Sequence, residues 1–115
     1  MENLKRLITF SVTNTSNGFD VSIAESLEDI YTTPKKTVVM LPEFGNDFFK
    51  LIDKRMDDEW LIDLKRELAD ATIWETRITL KKVTIKSFDV AKGSVAFRLD
   101  FDDNSYLEGV LNGFN

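Results

Sequence analysis

The stretch that decides the fold reads Val95-Ala96-Phe97-Arg98-Leu99-Asp100-Phe101-Asp102. Its large apolar residues occupy every second position, and small or charged residues occupy the positions between them. Because successive side chains of a β-strand point to opposite faces, this alternation predicts a strand with one buried and one wet face. It is the strongest strand prediction in the chain.

Turn signals and further alternating segments lie on both sides of this strand. Ala91-Lys92-Gly93 precedes it, and Asp102-Asp103-Asn104-Ser105 follows it. Residues 74–85 also repeat apolar residues at period 2 and predict strand structure. Residues 106–111 predict a last strand, with Gly109 as a weak point. A change of parity near Lys81-Lys82 indicates a bulge or two short strands there. Before that change, the residues predicted to share one face of the strand are Trp74, Thr76, Ile78 and Leu80.

Two shorter alternating segments, residues 7–13 and 19–23, predict strands near the start of the chain. The turn-forming run Asn14-Thr15-Ser16-Asn17-Gly18 lies between them, and Asn-Gly adopts positive φ easily, so a β-hairpin is expected. Residues 25–36 are polar and predict a loop or a frayed strand. Residues 37–41 predict a short strand that ends at Pro42.

The middle of the chain has helical spacing. Asn46 or Asp47 is predicted to cap a first helix, and a second is predicted from about Asp58, because carboxylates there complement the helix dipole. The expected buried faces are Phe48, Phe49, Ile52 and Met56 in the first helix, and Trp60 or Leu61, Leu64, Leu68 and Ala71 in the second. One continuous helix is the alternative, but a strict four-residue repeat drifts around a 3.6-residue turn and favours a break near Asp57.

Strands on both sides of a helical pair predict an α+β protein in the order ββ(β)αα and then βββ. The expected sheet is antiparallel, with about five to six strands and the helices packed on one face. The 115 residues suffice for a single domain over residues 1–115 and are too few for two stable cores.

The composition excludes many kinds of active site. The chain has no cysteine and no histidine, which removes disulfides, thiolate nucleophiles, Ser-His-Asp triads and the common zinc sites. We expect a non-enzymatic protein with no metal and no cofactor. With 15 basic and 20 acidic residues the net charge is −5, which disfavours nucleic acid and anionic membranes as partners. No secretory signal is evident, so the cytoplasm is the expected location.

An acidic segment near the end of the chain is the main candidate site. We predict that its exposed residues bind a partner protein, namely Asp100, Asp102, Asp103, Tyr106 and Glu108. The alternative function is the binding of a divalent cation or small ligand by the same carboxylates. The spacing resembles the start of an EF-hand loop, but Ser105 and Leu111 stand where that loop needs Gly and Glu.

Other side chains suggest weaker sites. Lys81, Lys82 and Lys86 form one basic cluster near Trp74, but the acidic surroundings favour a solvated strand over a nucleic-acid site. Four aromatic residues with polar groups are candidates for either an interface or the core: Tyr31, Trp60, Trp74 and Tyr106.

In overall character the chain resembles the small acidic immunity proteins that bacteria make against their own toxins. The resemblance rests on a single acidic domain without Cys or His and on the acidic hairpin of residues 100–108. It implies a cytoplasmic protein whose acidic surface neutralises a basic toxin or nuclease. No shared motif transfers a role to any one residue. A homodimer through an unpaired sheet edge is a further expectation.

Overall fold

The computed structural model describes residues 8–34, 45–52 and 54–114. For residue 49 it describes the backbone but not the side chain. In chain order, the elements are strand β1 (Thr9–Thr15), helix α1 (Val21–Thr32), a 3-10 turn (Phe48–Leu51), helix α2 (Asp58–Thr72), and strands β2 (Leu80–Asp89), β3 (Ser94–Phe101) and β4 (Tyr106–Asn112). The protein is therefore of the mixed α+β class, as predicted.

The strands form one antiparallel sheet in the order β1-β4-β3-β2. Strand β3 lies inside the sheet, and its residues alternate between buried and half-buried along its whole length, as its sequence predicts. Helix α1 packs beside β1, and α2 packs beside β2. The expected five to six strands are not confirmed, since the described residues form a four-stranded sheet.

The N-terminal hairpin prediction is wrong in its second half. Strand β1 is present, but residues 21–32 form α1, so the polar stretch from residue 25 is also helical instead of a loop. The carboxylate of Asp20 accepts the amide hydrogen of Ser22 at 2.8 Å and caps the helix. Buried Leu27, Ile30 and Tyr31 recur at helical spacing. The alternation over residues 19–23 was too short to outweigh that longer pattern.

The first predicted helix of the middle region is only a 3-10 turn over Phe48–Leu51. The side-chain oxygen of Asn46 accepts from the amide of Phe48, while its nitrogen donates to the carbonyl of Ile30 at 2.9 Å. These bonds tie the segment to the end of α1. The strand predicted at residues 37–41 lies outside the described residues.

Helix α2 confirms the predicted break. The carboxylate of Asp57 accepts the amide hydrogen of Trp60 at 3.0 Å, and the helix begins at the next residue. The predicted stripe is buried, with Trp60 rather than Leu61 as its first member. The indole nitrogen of Trp60 donates to the carbonyl of Leu51, which joins α2 to the 3-10 turn.

The strand predicted from residue 74 begins later, at Leu80. Residues 73–79 form turns that carry the chain from α2 to the sheet. The predicted irregularity near Lys81-Lys82 is confirmed, because the pairing of β2 with β3 shifts register between Leu80 and Lys82. Neither helix within the described residues has the length and apolar character needed to cross a lipid bilayer.

Candidate functional site

Three of the predicted site residues meet on the sheet face that lies opposite the core. Arg98 is at the centre, where its Nε donates to Asp100 at 3.0 Å and its Nη1 donates to Glu108 at 3.5 Å. Lys86 also donates to Glu108, at 3.1 Å. The Arg98 guanidinium carbon lies 4.0 Å from the ring centroid of Tyr106, within cation–π distance. We call these five residues the sheet-face network.

The other two predicted residues, Asp102 and Asp103, lie exposed in the turn between β3 and β4. The hydroxyl and amide of Ser105 donate to Asp103 at 2.5 and 3.0 Å, and they hold the pKa of that carboxyl below its ordinary value. Asn104 adopts a φ of 71°, a left-handed conformation that Asn tolerates. Asp103 therefore shapes this turn. Partner binding stays a prediction for the five residues named from the sequence, Asp100, Asp102, Asp103, Tyr106 and Glu108.

The acidic character predicted for this hairpin is reduced by pairing. The sheet-face network holds two carboxylates, Asp100 and Glu108, and two cations, Arg98 and Lys86, so its charges balance. Hydrogen bonding by Asp100 raises the pKa of Arg98. Within residues 8–34, 45–52 and 54–114, no cluster of three acidic side chains is arranged to hold a metal ion.

A second polar cluster joins parts of the chain far apart in sequence, and we call it the helix clamp: Asp20, Ser22, Glu75 and Arg77. Arg77 donates through Nε and Nη2 to both carboxylate oxygens of Glu75, at 2.7 and 3.0 Å. Its Nη1 donates to the hydroxyl of Ser22 at 2.9 Å. That hydroxyl donates in turn to Asp20 at 2.8 Å. The clamp thus connects the turns after α2 to the first turn of α1.

Burial distinguishes the clamp from the sheet-face network. Glu75 is only 4% exposed, and it is the one charged residue that is buried in the described part of the chain. A buried carboxylate needs a charged, hydrogen-bonding partner, and the planar guanidinium supplies one. Hydrogen bonding to Glu75 raises the pKa of Arg77, and the Ser22 hydroxyl and amide, with Arg77 nearby, lower the pKa of Asp20.

A buried neutral hydrogen bond also joins the two helices. The hydroxyls of Tyr31 and Thr72 lie 2.5 Å apart, and the Thr72 hydroxyl lies 2.6 Å from the carbonyl of Leu68. A hydroxyl has one hydrogen, so Thr72 donates to Leu68 and Tyr31 donates to Thr72. Burial raises the pKa of Tyr31, which keeps the phenol neutral. Tyr31 and Trp60 are therefore core residues, whereas Trp74 is partly exposed.

Sequence reasoning missed the helix clamp. Its available signal was weak, since Glu75 and Arg77 are opposite charges two positions apart, which is not the three- or four-residue spacing of a helical ion pair. Their common partner, Ser22, lies 55 residues from Arg77. A contact between such distant residues depends on the packing of α1 beside α2, which no local pattern encodes.

Comparison with solved structures identifies a protein of the same fold. A Geobacter sulfurreducens crystal structure, described as that of a candidate tail lysozyme, superimposes with a TM-score of 0.66 at 26% sequence identity. The match covers 82% of this chain and 88% of that one. A comparison with curated proteins finds no match.

Comparison with protein-family models overturns the functional interpretation of the sequence. Residues 18–104 match the model described as baseplate wedge protein gp25. The resemblance to immunity proteins was wrong, and so were the proposed toxin or nuclease partner, the alternative cation-binding function and the sheet-edge homodimer. Acidity and the lack of Cys and His are shared by many unrelated proteins, so they did not identify a family. On this match, which spans both helices, the helix clamp and the β2–β3 hairpin, the chain belongs to the baseplate wedge protein gp25 family.

Proposed function

We propose that this protein is a structural, non-enzymatic component of a phage-type tail baseplate wedge. The family match over residues 18–104 carries the proposal, because it includes both helices and strands β2 and β3. In this role the single domain binds neighbouring baseplate components. We also propose that it acts in the cytoplasm of the producing cell, where a chain without cysteine needs no disulfides for stability.

The description of the Geobacter protein raises lysozyme activity as a second candidate function. Glycosidases use two carboxyl groups across a cleft, and one must hold a proton for the leaving oxygen. Glu75 is the most buried carboxylate of the described residues, but both its oxygens accept hydrogen bonds from Arg77. That arrangement supports a structural role for Glu75 over an acid catalyst.

The surface also supports a role in assembly. Ile62 on α2 and Ile73 at its C-cap are 57% and 73% exposed, although large aliphatic side chains usually gain from burial. Asp102 and Asp103 are exposed in the β3–β4 turn and stay predicted contacts, now for a baseplate component. Such surfaces suit a protein that is covered by neighbours after assembly.

Gene deletion tests the proposal. Cells lacking the gene should form no complete tails in negative-stain electron micrographs, and the wild-type gene should restore them. A matched assay measures peptidoglycan hydrolysis by the purified protein and by Glu75→Gln. Complete tails in the deletion strain would overturn the assembly role, whereas hydrolysis that Glu75→Gln abolishes would establish the lysozyme.

A further inference from the structure

Helix α2 carries a second, outward-facing stripe that the core does not use. The positions are Ile62, Arg66, Ala69 and Ile73, at intervals of four, three and four residues. Ile62 and Ile73 lie about 160° and 180° around the helix from buried Leu64, since each residue turns the helix by about 100°. The C-cap residue Ile73 keeps helical angles, with φ −56° and ψ −29°, so it continues this stripe.

The spacing of the stripe is that of a coiled-coil seam. Intervals of four and three residues keep one line of side chains against a neighbouring helix. Ala69 is the small residue of the stripe, and beside it a groove of about 440 Å³ lies between α2 and the turns that follow it. Ala69, Ile73, Ile78 and Leu80 contribute apolar side chains to that groove.

The charges along the stripe argue against a second copy of this chain as the occupant. Asp63 and Asp70 lie seven residues apart on one flank, and Asp63 accepts a hydrogen bond from Arg66 at 3.1 Å in an exposed ion pair that a partner helix can exchange. In an antiparallel pair of α2 helices, the flank that carries Asp63 and Asp70 faces the same flank of the second copy. That arrangement would bring these carboxylates together. In a parallel pair equivalent seam positions meet, which would place Arg66 against Arg66. Both self-pairings therefore bring like charges together.

We propose that the outer face of α2 binds an amphipathic helix of another baseplate component. The inference rests on the proposed function and adds the chemistry of the partner. That helix has an apolar seam for Ile62 and Ile73, an acidic residue opposite Arg66, and basic residues opposite Asp63 and Asp70. Charge complementarity selects the partner, and the isoleucines supply the buried area.

Two synthetic helices of three heptads test this chemistry by fluorescence anisotropy. The first has a leucine seam with one Glu placed opposite Arg66 and Lys at both flanking positions; the second exchanges those charges. The wild-type protein should bind the Lys-flanked peptide at least about tenfold more tightly. Asp63→Lys with Asp70→Lys should invert the preference, and Ile62→Thr with Ile73→Thr should weaken both complexes about tenfold.

The matched control is Glu25→Lys with Asp29→Lys, which makes the same charge change on an exposed part of α1. It should leave the preference between the peptides unchanged. Thermal melts of all variants should match the wild type within a few degrees, because the altered side chains lie outside the core. Equal binding of both peptides would overturn the proposal, as would a wild-type dimer in sedimentation that the two Thr substitutions dissociate.

Tail assembly separates this inference from the proposed function. Cells carrying Ile62→Thr and Ile73→Thr should form at least about tenfold fewer complete tails than wild type. Normal tail numbers from this variant, with no tails after gene deletion, would overturn the α2 inference and leave the proposed function standing. Complete tails after deletion would overturn the proposed function itself.

Discussion

Two arginines bind carboxylates in this protein, but their surroundings differ. Arg98 bonds Glu108, which lies opposite it on β4, and Asp100, which lies two residues along β3 and stays partly exposed. Arg77 joins α1 to the turns after α2 and pairs with the buried Glu75. Water can replace much of what Arg98 provides, whereas it has little access to Glu75. Similar ion pairs should therefore differ greatly in their contribution to stability.

The largest effect is expected from Arg77→Ala. The substitution leaves the Glu75 carboxylate buried without its cation, and breaking such a pair is strongly destabilising. We expect Tm to fall by roughly 10 °C in thermal unfolding followed by circular dichroism. The control is the double variant with Glu75→Gln, which removes the stranded charge and should recover part of the loss. A Tm within 2 °C or so of wild type would contradict the clamp's role.

An intermediate effect is expected from Tyr31→Phe. The ring is retained and Thr72 still donates to Leu68, so the loss is one buried hydrogen bond. Such a bond contributes about 1 kcal/mol, or roughly 5 °C in Tm for a domain of this size. Comparing the Tm losses of Tyr31→Phe and Arg77→Ala measures whether the buried hydroxyl pair or the Arg77 ion pair contributes more to stability. A larger loss from Tyr31→Phe would reverse the expected ranking.

A small effect is expected from Arg98→Ala. Its carboxylate partners reach solvent or Lys86, so we expect a Tm decrease of less than about 3 °C. Because exposed ion pairs are screened by salt, the difference from wild type should shrink further in 1 M NaCl. A loss as large as that of Arg77→Ala would show that exposure does not separate the two arginines.

The smallest effect is expected from Asp20→Asn and depends on pH. Asn still caps α1 but carries no charge. Because the pKa of Asp20 is lowered in the folded protein, its charge stabilises the fold above the ordinary value of 3.8. This contribution disappears as the pH falls through the lowered pKa. The Tm difference between wild type and Asp20→Asn should therefore be present at pH 7 and shrink as the pH falls below 3.8. A difference independent of pH would contradict the charge effect.

The parts of the fold that sequence predicted are those governed by local patterns. Strand β3 alternates without interruption, and Asp57 has the side chain that a helix start requires. Helix α1 was missed because five alternating residues near its start imitate a strand, although Leu27 and Tyr31 continue at helical spacing. The longer helical pattern decides the structure here, because its apolar residues pack against the sheet.

The candidate sites were less predictable than the fold. The sequence placed Asp100 and Glu108 in one hairpin correctly, but it did not show that Arg98 lies between them. The sequence analysis did not single out Ile62, because the exposure of this side chain depends on which face of α2 the rest of the fold covers. Pairing and exposure are tertiary properties, so composition alone led to an acidic binding surface and the wrong family.

Quantitative mass spectrometry of purified tails tests the central claim most directly. The protein should be present in a constant ratio to the other baseplate proteins and should stay bound through a high-salt wash. The double substitution Ile62→Thr with Ile73→Thr should lower that ratio, whereas Glu25→Lys with Asp29→Lys should leave it unchanged. Absence of the wild-type protein from complete tails, or a ratio that varies freely between preparations, would contradict its place in the baseplate wedge.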